Sequence, residues 1–325
     1  MDQKIVIGVV IITYNSNKWI DLCIESLLSN TISVQYIFII DNCSQEMPIL
    51  CKKNQDDKIQ IFQLKKNIGF GSACNFGIYH CLKMQCDYIL LVNPDTELKK
   101  NTIHNLLIPF NIDKNIGIVG GLELFHKNGQ YNSFTTNNLS KAISDNNYRN
   151  FIYSNFSKGD ILNGSLLLFK KDVFTKIGGF DPIYFMFCED NDLLRRAKNH
   201  FNLAISKNSV YYHDMGHSYK NIKNESGISP LKLSHFFKSS FIYALTNPYT
   251  HFLYNFFRLF ILSYKFSKNF YKKPNFFINL FNNIQKIPWK QCYLKWKNDY
   301  SKKQYGHYIH EINKFEHTKY INEIL

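Results

Sequence analysis

Apolar and polar positions in the first 120 residues alternate between two periods. Residues 5 to 12, Ile-Val-Ile-Gly-Val-Val-Ile-Ile, form a nearly unbroken β-branched run that stops at Thr13-Tyr14-Asn15-Ser16. Such a run reads as a strand buried on both faces. After the polar stop, Trp19, Ile20, Cys23, Ile24, Leu27 and Leu28 recur at the spacing of one buried helix face, with Ser16 or Asn17 able to cap it. The same succession then repeats. Val34 to Ile40 is strand-like and stops at Asp41-Asn42-Cys43-Ser44, and Ile59 to Leu64 leads into Asn67-Ile68-Gly69-Phe70-Gly71. Ser72 to Lys83 reads as a helix. Tyr88 to Val92 is a further buried strand, ended by Asn93-Pro94-Asp95, where proline removes a ladder donor. Alternating strands and helices predict right-handed βαβ units and an α/β fold with a mainly parallel sheet.

Further along, Ile116 to Gly121 reads as a strand, and polar residues 126 to 158, rich in Asn and Ser, as a long loop over the site. Ile161 to Phe169, containing Asn163-Gly164-Ser165, is a predicted strand. Lys171 to Ile177 is a predicted helix closed by Gly178-Gly179. Val210 to Tyr212 is a short apolar run before His213-Asp214-Met215-Gly216-His217-Ser218.

In a parallel sheet the polar stops share one edge, and four of them make a nucleotide-sized crevice. A dinucleotide site is disfavoured: no Gly-x-Gly-x-x-Gly follows the first strand, and Gly69-Phe70-Gly71 lacks a third glycine. There is no phosphate loop of the Gly-x-x-x-x-Gly-Lys type either. Asp95 ends a buried strand, where such sheets hold ligands, although Asn-Pro-Asp also starts turns whatever the function. Phe185-Met186-Phe187-Cys188 runs directly into Glu189-Asp190-Asn191-Asp192. Acidic residues suit any helix N-terminus. Beside apolar walls, however, a carboxylate pKa can rise into the range of a general base. His213 and His217 read either as loop residues or as a ligand completing a metal site begun elsewhere.

Charge divides the chain. Of the formal net +14, residues 220–325 carry +12, from 17 Lys and Arg against 5 Asp and Glu. The expected organisation is therefore a globular domain over 1–219. A basic, aromatic helical extension follows over 220–325. Within it, Tyr249 to Phe266 is too interrupted by His251, Asn255, Arg258 and Lys265 to span a bilayer, and fits an interfacial helix better. A solvated helical subdomain or dimer contact is the plainer alternative. Nucleic-acid binding has no motif behind it. The eight cysteines form no Cys-x-x-Cys pair, so reduced thiols in a cytosolic compartment are expected. The N-terminus lacks the features of a signal peptide.

Six pieces stand in order: Thr13-Tyr14-Asn15-Ser16; Asp41 to Ser44; Asn67-Ile68-Gly69-Phe70-Gly71 with Asn75; Asn93-Pro94-Asp95; Gly179-Phe180-Asp181 through Glu189 to Asp192; and His213-x-x-Gly216-x-Ser218. Together they resemble a family 2 glycosyltransferase of the GT-A fold, nearest the bacterial rhamnosyltransferase-like branch, over residues 5 to 245. The resemblance implies a nucleotide-sugar donor, with Asp41 on its base or ribose and Thr13, Tyr14, Asn15 and Asn42 in the same pocket. It places Asn67, Gly69 and Asn75 along the nucleoside and sugar, and makes residues 1–100 mainly donor-binding and 101–219 mainly acceptor-binding and catalytic. Asn93, Pro94 and Asp95 match the family's Asp-x-Asp, with Asn93 at its first carboxylate position. Asp95 and His213, or alternatively His217, would hold Mg2+ or Mn2+. Asp190, beside Glu189, matches the catalytic base of an inverting transfer. The implied reaction moves a sugar, in the first instance L-rhamnose from dTDP-rhamnose, to a lipid-linked saccharide in O-antigen or capsule synthesis at the cytoplasmic face of the inner membrane. A UDP- or GDP-sugar donor is the alternative, as is a non-catalytic binding protein of the same fold.

Overall fold

The predicted apolar runs become the centre of one sheet. The computed structural model describes residues 5–51, 56–124, 151–154, 162–213, 230–259, 261, 284–302, 306 and 308–325. In chain order the elements are β1 (Ile7–Thr13), α1 (Asn17–Leu28), β2 (Tyr36–Asp41), β3 (Ile59–Gln63), α2 (Phe70–Lys83), β4 (Tyr88–Val92), β5 (Thr96–Leu98) and α3 (Thr102–Ile112). Then come β6 (Ile116–Leu124), β7 (Phe151–Tyr153), β8 (Leu166–Lys170), α4 (Lys171–Ile177), α5 (Glu189–Ala197), β9 (Asn202–His213) and α6 (Pro230–Leu245). The C-terminal part adds α7 (residues 252–259), α8 (Trp289–Lys302), α9 (His310–Asn313), a 3-10 turn (Lys314–Glu316) and α10 (Thr318–Ile324).

The strands lie in the order β3-β2-β1-β4-β8-β6-β9-β5, with β7 beside β9. The first four are parallel, as predicted. β8 is antiparallel to both β4 and β6, which makes the sheet mixed. β8 starts at Leu166, so Asn163-Gly164-Ser165 is a turn at the strand's mouth and not part of the strand. Most of 126–158 lies outside the described residues, but Phe151–Tyr153 is strand β7, paired with β9, and not loop. The short Val210 to Tyr212 run is the end of a twelve-residue strand.

Alternate residues of β1 serve opposite faces, as a doubly buried strand requires. Val10 and Ile12 pack under α2, α4 and α5, whereas Ile7, Val9 and Ile11 pack under α1 and α3. The C-terminal residues join the first of these cores. Ile312, Phe315 and Ile324 belong to the same buried cluster as Val10 and Phe38, and Phe315 meets Phe76 of α2 at 5.0 Å between ring centres. A buried ion cluster makes the second attachment. Lys295 of α8 reaches Asp181, and lies 3.7 Å from Asp192 of α5. Asp192 also binds Arg195 at 2.7 Å and Arg196 at 2.8 Å. The C-terminal extension is thus packed into the core of the sheet domain, through α2 on one side and α5 on the other.

Candidate active site

The carboxyl ends of β1 to β4 form one rim, and hydrogen bonds knit its loops together. Asp41 is fully buried and accepts from the Thr13 hydroxyl at 3.0 Å, the Ser44 amide at 3.1 Å and the Ser44 hydroxyl. Asn15, at φ 54°, donates its amide to Ser44 Oγ at 2.8 Å and accepts from Gln45 at 3.0 Å. Asn42 donates to Asn67 Oδ1 and accepts from Ile68, both at 3.0 Å. Asn67 Oδ1 also accepts the Gly69 amide at 3.0 Å. Thr13, Asp41, Asn42 and Asn67 therefore shape the rim, and exposed Tyr14 is the part that faces out.

Asn75 departs from expectation. It is fully buried in α2, donating to Phe180 O at 2.9 Å and accepting from Phe180 N at 2.7 Å. A side-chain amide clamped to backbone on both sides has no place along a nucleoside; it anchors the segment leading to Glu189.

Two clusters of chemistry stand on this frame. The first is built by strand register. Pairing of β5 with β9 sets Thr96 opposite His213, so Asp95, one residue earlier, meets the imidazole. Nε2 of His213 lies 3.2 Å from Asp95 Oδ1 and 3.3 Å from the Asn93 amide nitrogen. Parallel pairing of β6 with β9 sets Glu123 opposite Tyr211, on the same face as His213 two residues on, and His213 Nδ1 lies 3.1 Å from Glu123 Oε1. Burial opposes a charge on this ring, yet the hydrogen bonds and charges of Asp95 and Glu123 raise its pKa to about 9. His217 lies outside the described residues.

Nothing in the sequence reading singled out Glu123. The available signal was a carboxylate between Leu122 and Leu124 in an apolar strand, a placement that demands a buried partner.

The second cluster is Glu189-Asp190 at the start of α5. Phe187 and Cys188 precede it at φ 67° and 62°, two consecutive side-chain-bearing residues in left-handed backbone. Such strain persists only where neighbours enforce it. Helix α6 does so along its length. His235 stacks on Phe185 at 5.1 Å, Phe236 meets Phe187 edge-on at 5.6 Å, Ser239 donates to Met186 O at 2.6 Å, and Ser240 lies 3.8 Å from the Cys188 sulfur. On the donor side, Phe70 donates to Phe185 O at 3.0 Å. Gly69, at φ +84°, comes so close that a Cβ there would be 2.6 Å from the same oxygen.

Glu189 is buried, and its Oε2 has no hydrogen-bond partner among the described residues. Burial first, then the neighbouring Asp190, pushes its pKa to about 8. Half-buried Asp190 accepts the Asn191 amide at 2.7 Å, and its pKa is raised by burial. An orphaned buried carboxyl beside a raised one makes the pair a candidate for chemistry. Asp192, third of the acidic run, differs. Burial would raise it, but Lys295, Arg195 and Arg196 hold it far below the usual carboxylate range. It is a structural counter-ion.

Residues 163–165 connect the clusters. Asn163 donates to Glu123, Gly164 lies against Asp190, and Ser165 O accepts the Asn93 amide at 3.0 Å.

The glycosyl transferase family 2 profile matches residues 8–178. The chain belongs to that family. It is a glycosyltransferase of mixed-sheet GT-A architecture. Relatives include the N-acetylglucosaminyl-diphospho-decaprenol L-rhamnosyltransferase of Mycobacterium tuberculosis, 23% identical over 58% of this chain and 69% of that protein. The minor teichoic acid biosynthesis protein GgaB of Bacillus subtilis is 26% identical over 40% of this chain, but the match spans only 15% of GgaB. Among solved structures, TarS 1-349 of S. aureus superposes with a TM-score of 0.57 at 14% identity, covering 93% of each chain. The mannosyltransferase PcManGT of Pyrobaculum calidifontis, in complex with GDP-Man and Mn2+, gives 0.51 at 13% identity over 74% of this chain and 63% of that one.

For a divalent cation the donor set fits, within limits. A carboxylate oxygen and an imidazole nitrogen converge beside an amide, and these suit Mg2+ or Mn2+. Among the described residues no three His, Cys, Asp or Glu are grouped to hold an ion. Diphosphate oxygens would have to complete the shell.

Proposed function

We propose that this glycosyltransferase inverts the sugar it transfers, with Asp190 as general base. The observation that carries the reading is the pair at the start of α5. Asp190 is half-buried with a raised pKa, and Glu189 behind it is protonated near neutral pH. A neutral Glu189 leaves the negative charge of the pair on Asp190, where it can accept the acceptor hydroxyl's proton. As that proton moves to Asp190, the acceptor oxygen bonds to the anomeric carbon from the face opposite the departing diphosphate. The sugar–phosphate bond breaks, and the configuration inverts.

Asp95 and His213, with Asn93 beside them, would hold Mg2+ or Mn2+, which neutralises the charge developing on the leaving diphosphate. Tyr14, Asn15, Asp41, Asn42, Asn67 and Gly69 form or shape the wall for the base and ribose. The leading donor is dTDP-L-rhamnose, supported by the rhamnosyltransferase named among the relatives. A UDP- or GDP-sugar is the second reading, supported by the GDP-Man of the fold neighbour.

The acceptor in this reading is a lipid-linked saccharide, met at an anionic membrane surface. Support comes from α7, whose outward residues Leu253, Tyr254 and Phe257 are exposed, as is Ile261 beyond it, although its inward Phe252, Phe256 and Leu259 already supply an apolar face. Adjoining α8 turns Tyr293, Leu294, Lys290 and Lys297 outward. Aromatic and aliphatic residues rimmed by lysine suit a headgroup boundary. No described helix is long and apolar enough to cross a membrane.

A thermal-shift panel of dTDP-, UDP- and GDP-sugars with and without Mn2+ tests the donor, because a ligand of the folded state raises its stability. Asp190→Asn should keep that shift and lose transfer by roughly 10²–10⁴-fold. Transfer near the wild-type rate in that variant removes Asp190 from the base role.

A further inference from the structure

Glu123 has no part in the family resemblance, yet it is 1% exposed and directed at His213. The direction of each hydrogen bond around it follows from groups of fixed polarity. The Ser165 amide can only donate, so Asn163 Oδ1, 3.1 Å away, is the acceptor. The amide nitrogen of Asn163 therefore faces Glu123 and donates to Oε2. One carboxylate oxygen is engaged by this donor, and Oε1 faces His213 Nδ1 at 3.1 Å, where it can accept. An ionised carboxylate is acceptor-only. If a cation displaces the Nε2 proton, the hydrogen held by Glu123 would stay on Nδ1, and Nε2 would present its lone pair on the side of Asp95 and Asn93.

We propose that Glu123 is a positioning residue for divalent-cation binding, fixing the tautomer and plane of His213 so that Nε2 joins Asp95 as a ligand. This rests on the reading of Asp95 and His213 as the metal post. Carboxylate–histidine pairs behind a metal orient the ring and strengthen it as a ligand, and their loss commonly costs 10–100-fold in affinity. Asn163 extends the arrangement, since its neighbour Gly164 touches Asp190. The residues that orient the metal ligand and those that crowd the base thus share one turn.

Mn2+ binding is measured by loss of the free-ion EPR signal on the full chain, alone and with dTDP, UDP and GDP in turn. Glu123→Met keeps length and removes the acceptor; it should weaken Mn2+ by about 10–100-fold. Glu123→Gln retains an oxygen acceptor and should recover most of that loss, which a merely space-filling role does not predict. Long-range ¹H–¹⁵N spectra of histidine-labelled wild-type protein should show His213 protonated on Nδ1 when Mg2+ is bound, with no variant required. Folded Glu123→Met binding Mn2+ like wild type while Asp95→Ala and His213→Ala lose it overturns the role of Glu123 alone. Unchanged binding in Asp95→Ala and His213→Ala, or no binding by wild type, overturns the metal post and this inference with it. Should Glu123→Met not fold, a bound-state ring protonated on Nε2 overturns the inference by itself.

Discussion

Gly164 lies so close to Asp190 that a Cβ added to the glycine would stand 2.7 Å from the aspartate Oδ2. The glycine is there for room. Gly164→Ala pushes the carboxylate out of its position, and the atoms nearest the added Cβ all belong to Asp190. Displacements of about 1 Å at a reacting group can cost 10²-fold. The expected outcome is a kcat lowered by roughly 10–100-fold with donor thermal shifts unchanged. Steady-state kinetics beside the shift assay checks it; an unaltered kcat means Asp190 is not the base or is free to move.

Glu189 sets a pH dependence of stability. Its folded pKa, about 8, is above the ordinary 4.5, so the folded state holds a proton that the unfolded chain releases across that window. The unfolded chain binds fewer protons there, and stability falls as pH rises from 4.5 to about 8. Glu189→Gln removes the titration. Its melting temperature relative to wild type should be markedly higher at pH 9 than at pH 5. Parallel melting curves at the two pH values are the measurement, and an equal difference at both contradicts a protonated Glu189.

Lys295 tests whether the C-terminal extension is part of the catalytic fold. Asp192 and Asp181 outweigh the burial that would lower its pKa and hold it raised. Lys295→Met leaves Asp181 without its partner in a buried place. Removing one member of a buried pair costs about 3–5 kcal/mol. Urea denaturation should show a loss of that order, and a wild-type midpoint would make the extension an independent appendage.

The outward face of α7 predicts lipid dependence. Wild-type protein should float with vesicles of phosphatidylglycerol and phosphatidylcholine, less so as salt screens the lysines. The double variant Leu253→Glu, Phe257→Glu should stay at the bottom while transferring sugar to a soluble acceptor. Wild-type protein that does not float at physiological salt contradicts the membrane reading.

Much of the donor half was legible in the chain. β1, β2, β3 and β4 are continuous apolar runs with abrupt polar stops, and local sequence alone specifies both. The stops share a rim because parallel strands share a direction. Thus the placement of Thr13, Asp41, Asn67 and Asp95 at the strand ends could be read from the sequence, and that of Glu189-Asp190 at a helix start from an acidic run after aromatics. What could not be read depends on which segments pair across long separations. β5 is three residues long and exists because β9 lies beside it; that pairing brings Asp95 to His213. Glu123 becomes part of the site through the β6–β9 register, 90 residues apart. The resemblance places Asn75 along the nucleoside and sugar, but α2 turns it inward onto Phe180. Asp192 and Asp190 are equivalent in sequence. Burial beside Lys295, Arg195 and Arg196 makes one a counter-ion, and burial without such cations gives the other a raised pKa. The sequence by itself determined the strands, their stops and the family. Tertiary structure decided which carboxylates have raised and which lowered pKa values, because desolvation and partner charge are set by packing between distant segments.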